Sequence, residues 1–307
     1  MEKERLTIRE EKITVEFEFR NESDSDITTE VAFPVPAYEA LGTNCGVISD
    51  FADFKVWINA KELKYEIEDR AILRDVDYTD LLHAYGLQIS TFANYFDPEG
   101  CGEPSKDYQV AHLSGERKAH LAQLGLIDKD NFPLWKVKRL YHWTQVFPAK
   151  KMVFVRHEYT PVEGYQFYSP QDLQPEALRQ ALREQDGFVG SPYLNACIEP
   201  SLINHLTKVA RVGSSAESGG GLLVSTKWID YILTSANTWK TPIKDFELIV
   251  ERPVAKDSSK WFVSLCWDGP ITRIDENHFS AKAQNFVPKR ELTILFLANL
   301  PEPTPTH

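Results

Sequence analysis

A chain of 307 residues with 42% hydrophobic and 12% aromatic side chains is long and apolar enough for a substantial core, which excludes global disorder. Its formal net charge of −11 argues against nucleic acid as a partner, because phosphate binding needs a concentrated basic face; the densest basic spots are only Lys136-Val-Lys-Arg139 and Lys150-Lys151. No run of about eighteen apolar residues occurs, so the sequence predicts no transmembrane helix.

From the N-terminus, Ile13, Val15, Phe17 and Phe19 alternate with Thr14, Glu16, Glu18 and Arg20, the period of a strand with one buried face. After the polar turn Asn21 to Asp26, Val31, Phe33 and Val35 return in the same phase, and Pro34 and Pro36 place the end of that strand at an edge. A second hairpin is expected where Phe54, Val56 and Ile58 face Leu63, Tyr65 and Ile67 across Asn59-Ala60-Lys61. From Tyr78 the period becomes helical. Thr79 is placed to cap a helix bearing Leu81, Leu82 and Tyr85 and closed by Gly86; Ser114 starts another bearing Leu121 and Leu124 and closed by Gly125. The stretch from about 78 to 133 therefore reads as a helical insertion into a β-domain.

Strands resume at Lys136 to Phe147 and Met152 to Tyr159, read as a hairpin joined by Pro148 to Lys151. Two helices follow, one opened by Pro175 and presenting Leu178, Ala181 and Leu182, the other striped by Leu202, Ile203, Leu206, Val209 and Ala210. A Gly/Ser stretch from Gly213 to Gly221 leads into six short apolar runs between Trp228 and Leu300. In one of them Phe246, Leu248 and Val250 oppose Glu247, Ile249 and Glu251. The last, Leu292 to Leu297, has no polar face and is expected to be central and covered on both sides. The reading is a β-rich α+β fold: antiparallel β-sandwich-like layers with a helical insertion, and two helices before a C-terminal antiparallel sheet. The domains are set at 1–170 and 171–307.

Candidate sites are few. His142 and His157 fall on neighbouring strands; if the hairpin brings them opposite each other, then with Glu158 they form two imidazoles and a carboxylate for acid/base or metal chemistry. The competing reading is two histidines satisfied by backbone or tyrosine partners. The glycine run at Gly219 lacks the Lys-Ser/Thr of a phosphate loop, no GxSxG is present, and no cofactor or metal-ligand spacing is found, so neither cofactor nor metal is expected. Trp239, between two strands, is read as a structural plug of the core, with ligand binding as the alternative. None of the four cysteines forms a CxxC. Cys266 lies in a strand and Cys197 just before a helix, so a disulfide between them would pin helix to sheet, with Cys45 and Cys101 as the remaining pair. The alternative is four reduced, buried thiols.

Trp228 to Asp245 (WIDYILTSANTWKTPIKD), followed by Phe246 and by Val263-Ser-Leu-Cys266, resembles the C-terminal part of the bacterial domain-of-unknown-function 4424 family. Val15 to Pro36 is similar to that family's opening segment and Trp143 to Pro161 to its middle. The family has no assigned activity or catalytic residues. What the resemblance implies is location, since its members typically carry a cleaved export signal. The charged start MEKERLTIRE has no apolar signal core, so together they imply an extracytoplasmic protein, periplasmic or secreted, whose signal has been removed. Two functions are expected in that order: a non-catalytic binding module for an envelope protein, a glycan or a small molecule, and a metal-dependent or acid/base hydrolase around His142, His157 and Glu158.

Overall fold

The computed structural model describes residues 1–40, 51–89, 108–168, 195–213, 224–254 and 261–299, with isolated positions between 172 and 180. Cys45, Cys101, the residues Pro175, Leu178, Ala181 and Leu182 that mark the expected helix, the glycines 219–221 and the tail from Pro301 lie outside the described residues. The fold is β-rich α+β, and the chain forms two compact units, residues 1–17 with 163–307 and residues 18–162. β1 (Lys3–Ile8) and β2 (Ile13–Arg20) open the chain, and the boundary between the units falls within β2.

The unit of residues 18–162 holds β3 (Ile27–Pro34), β4 (Tyr38–Glu39), β5 (Ala52–Ile58), β6 (Lys61–Leu63), β7 (Glu66–Leu73) and β8 (Val76–Asp77). Helices α1 (Thr79–Ala84) and α2 (Gly115–Gln123) follow, then β9 (Lys136–Phe147) and β10 (Met152–Thr160). One layer runs β3-β9-β7-β8, with β4 also on β9; the other contains β10-β5-β6. The β5–β6 turn forms as the sequence suggests. Asn59 and Ala60 both have positive φ (48° and 67°), the left-handed turn whose twist matches two antiparallel strands. The hairpin is shorter than expected, pairing Val56 with Leu63 and Ile58 with Lys61. Ile67 belongs instead to β7, where it pairs with Tyr141 of the other layer.

The expected hairpin of β9 with β10 is replaced by a corner. β9 pairs with β3 and β7, whereas β10 pairs with β5, so the tight turn at Pro148 carries the chain from one layer to the other. Buried Asn21 holds that corner, donating through Nδ2 to the Phe147 carbonyl (2.8 Å) and through its backbone N–H to the Lys151 carbonyl (3.1 Å). The physical reason lies in the side chains: both strands bury a full apolar face, and stacking them face to face buries more of it than an edge pairing would. Arg139 is buried on β9 and gives a bidentate pair to Asp69 of β7 (2.7 and 3.0 Å) and a hydrogen bond to the Phe51 carbonyl, so its charge is matched. In α1 the sequence-based cap is corrected: Thr79 Oγ1 accepts from the Ala71 backbone N–H (3.0 Å) and does not cap the helix. Ser114 does cap α2, and Gly86 and Gly125 follow the two helices with positive φ.

The other unit adds β11 (Gly164–Tyr168), α3 (Pro200–Gly213), β12 (Val224–Tyr231), β13 (Ile243–Glu251), β14 (Trp261–Leu265), β15 (Ile271–Arg273), β16 (His278–Phe286) and β17 (Leu292–Asn299). All six expected C-terminal strands form, but they divide between two layers, β11-β12-β17-β14 and β15-β16-β13-β1. β1 pairs with β13 in parallel, with Glu4 beside Phe246, Leu6 beside Leu248 and Ile8 beside Val250. The outer face of this ladder is charged: Arg5 and Lys282 both meet Glu247 (2.8 and 3.1 Å), and Lys244 meets Glu2 (2.6 Å). β17 is central and apolar on both faces. Leu295 and Leu297 pack with Ile203 and Leu206 of α3, and with Ala196 and Val224, while Ile294 and Phe296 are buried on the opposite side. The side chains of Val209 and Ala210 lie outside what the structure describes.

Cys197 and Cys266 form a disulfide (Cα–Cα 5.0 Å) that ties the chain ahead of α3 to the end of β14. Ser264 Oγ adds a hydrogen bond to the Ala196 carbonyl at 2.9 Å. Trp239, expected to plug the core, lies half-buried just after the 3-10 turn Thr234–Thr238. The core at that end is filled by Leu233 and Ile243, which are 4% and 1% exposed.

Candidate functional site

The residues picked from the sequence do not converge. His157 points inward from β10, fully buried among aromatic rings, with Phe33 at 4.2 Å and Phe54 at 5.8 Å between centroids. Burial pushes its imidazole down to about 3, so it is neutral throughout the physiological range. His142 lies on the opposite, outer face of β9, half-buried, with Nδ1 2.7 Å from Glu30 Oε1. Glu158 projects away from His157 by strand alternation and pairs with Arg156 at 3.0 Å. A corner has put the two histidines on different faces, one sealed in the core and the other half-buried. Among the described residues, no group of three or more His, Cys, Asp or Glu side chains is placed to hold a metal ion.

Among the described residues, a candidate site lies in the unit with β13 and β17. A cleft of about 210 Å³ opens between the turn after β14, the end of β16 and the start of β17. Trp267 and Phe286 line it, with ring centroids 5.4 Å apart, and fully buried Phe246 stacks behind both, at 5.7 Å from Trp267 and 4.5 Å from Phe286. Local structure explains how these rings come to face a cavity. The disulfide fixes Cys266, and so the strand end from which Trp267 projects. Gly269 sits close to the indole: a Cβ there would stand 3.2 Å from Trp267 Nε1. Asn285 has φ of 50°, which breaks strand alternation one residue before Phe286 and lets that ring turn toward Phe246.

Charges ring the mouth. Asp268 and Arg290 form an ion pair (2.8 Å) from its two sides, and Glu291 accepts from both the backbone N–H and the hydroxyl of Thr234. Asn237 Nδ2 donates to the Pro288 carbonyl (2.9 Å), anchoring the approach to β17. Lys282 and Lys289 complete the charged lining. The sequence shows the aromatic residues but not their convergence: Trp267-Asp268-Gly269-Pro270 looks like an ordinary strand end and turn. A tryptophan next to a cysteine and a Gly-Pro turn was the available signal.

Glu4 also escaped sequence reading, as one acid in a charged opening. It is 2% exposed on the core side of β1, and among the described residues its Oε2 makes no hydrogen bond. Desolvation pushes its carboxyl up to about 8, so it is protonated at neutral pH.

Fold and cleft together define a β-rich module with a small, aromatic-walled pocket. The chain belongs to the family described as a domain of unknown function, DUF4424, whose model matches residues 1–295. No curated protein matches the chain. Among solved structures it is similar to a protein of Legionella pneumophila subsp. pneumophila str. Philadelphia 1, described as a "putative nutrient binding protein", at 12% identity and a TM-score of 0.41. The match covers 96% of this chain but 66% of that one, so this chain spans just under two thirds of that protein's length. No helix among the described residues is long and apolar enough to cross a membrane.

Proposed function

We propose that this protein is a non-catalytic binding module of an extracytoplasmic compartment, and that it holds a small molecule in the cleft walled by Trp267 and Phe286. The observation that carries the reading is the cleft itself: a concave aromatic surface held by a disulfide, a glycine and a left-handed asparagine, with a polar mouth. Small-molecule sites have this composition, an apolar wall with a few placed polar groups. The volume of about 210 Å³ is below the range of roughly 300–1,000 Å³ for drug-sized ligands, so the ligand is a small metabolite or the end group of a larger one. The Cys197–Cys266 bridge supports the location, because structural disulfides persist in oxidising compartments. The hydrolase reading around His142, His157 and Glu158 has no comparable support, as His157 faces a sealed core.

The test is ligand-induced change in tryptophan fluorescence and melting temperature across a panel of small metabolites, run on wild type and on Trp267→Phe and Trp267→Ala. Saturable binding that weakens in both variants supports the cleft. Binding that is unchanged in both, with the fold intact by circular dichroism, places the ligand elsewhere.

A further inference from the structure

We infer that the cleft selects a small organic monoanion with a flat apolar body, such as an aromatic carboxylate, and that Lys289 supplies the charge that holds it. The inference rests on the reading of the cleft as a binding site and adds the class of ligand. It follows from which charges at the mouth are already committed. Both carboxylates are engaged: Asp268 by Arg290 at 2.8 Å, and Glu291 by the N–H and hydroxyl of Thr234. Lys282 is held by Glu247 at 3.1 Å, a carboxylate that Arg5 also engages at 2.8 Å. Lys289 has no ion pair or side-chain hydrogen bond among the described residues.

Of the three cations that line the cleft, Arg290 and Lys282 are paired with Asp268 and Glu247, which leaves the positive charge of Lys289, in a chain whose overall charge is −11. This local excess of positive charge decides between ligands that the aromatic wall alone would treat alike. Ring faces attract organic cations, but here a cation would meet an ammonium at the mouth and two carboxylates that already have partners. A neutral sugar would stack on the wall and leave Lys289 unused. An anion with a planar body satisfies both, placing its ring against Trp267 and Phe286 and its charge at Lys289 in a charge-assisted hydrogen bond. Trp267 and Phe286 are inclined at 38° to each other, so together they offer a broad aromatic wall to one ring.

Isothermal titration with four probes tests this: benzoate, its neutral isostere benzamide, benzyltrimethylammonium and glucose. Benzoate is expected to bind at least about tenfold more tightly than benzamide, the scale of one charge-assisted hydrogen bond. Lys289→Met, an exposed position where folding is not at risk, should abolish that preference and leave benzamide unchanged. Raising salt should weaken benzoate alone. Equal affinity for benzoate and benzamide, or preference for glucose or the quaternary ammonium, with binding still dependent on Trp267, overturns the anion assignment and leaves the cleft standing. Failure of every probe to give a Trp267-dependent response overturns both.

Discussion

Each unit of this protein carries a cluster of aromatic rings, and the two are put to different use. In residues 18–162, Phe33, Phe54, Tyr141, His157 and Tyr159 interlock between two layers, with Phe54 and Tyr141 stacked at 3.9 Å and 5°. Every one of those rings is buried. In the cluster of the other unit Phe246 is sealed, and Trp267 and Phe286 remain half-exposed along the cleft. The first cluster has taken even a histidine and a tyrosine hydroxyl out of water, and burial pushes the Tyr159 phenol above its ordinary value as it pushes His157 below. The second leaves ring surface uncovered along the cleft. Aromatic content alone therefore does not make a cleft; the cleft lies where Gly269 leaves room beside the Trp267 indole and Asn285 takes a left-handed backbone before Phe286.

The comparison breaks if the two clusters respond alike to truncation. Phe54→Ala should lose about 3–5 kcal/mol in chemical denaturation, because the stacked partner Tyr141 cannot fill the void. A loss under about 1 kcal/mol would mean that the cluster is loosely packed. Next in size is the tie behind the open cluster: replacing Cys197 and Cys266 with alanine should cost about 2–4 kcal/mol, read as a lower melting temperature. The same variant should loosen Trp267, seen as a red shift of its emission.

The two buried titratable groups give opposite pH slopes. Glu4 has a folded value near 8 against an ordinary 4.5, so its contribution is fully present below about 4.5 and falls as pH rises toward 8. His157, depressed to about 3 from 6.5, contributes stability that is present above 6.5 and falls as pH drops toward 3. Each slope approaches about 1.4 kcal/mol per pH unit inside its window. Denaturation of Glu4→Gln and His157→Phe at pH 4, 6 and 8 should each flatten one side of the wild-type profile only. Smallest of all, Trp267→Phe should change stability by about 1 kcal/mol or less, since the ring is half-exposed, while removing most of the ligand response.

Much of this architecture is legible in the sequence where the signal is local. Alternation located β2, β5, β9, β10 and the six C-terminal strands, and the doubly apolar run from Leu292 identified a central strand. Partner choice is another matter. Period two says that a strand has one buried face, but not which edge it joins, so the corner after Phe147 and the division of the C-terminal strands between two layers were invisible. That ambiguity dispersed His142 and His157, whose apparent proximity depended on a hairpin that the chain does not make. Trp239 and Trp267 show the same limit: both stand beside turns, and only the packing of Leu233 and Ile243 in one case and of Gly269 in the other decides what their rings do.

The parallel pairing of β1 with β13 has a consequence for how the molecule is made. Arg5 and its partner Glu247 are 242 residues apart, so this pairing closes a loop of most of the chain and must wait for the segments between to be ordered. Contacts of such long sequence separation form late, after the loop entropy has been met by the rest of the core. During that wait Glu4 is ionised like any exposed glutamate, and its charge, beside Leu6 and Ile8, keeps the waiting strand a poor template for aggregation. When β1 docks, the same carboxyl enters an apolar interior and takes up a proton. Closure of the molecule at neutral pH is thus a proton-consuming step, and the rate at which the first strand is captured should rise as the medium is acidified toward pH 5.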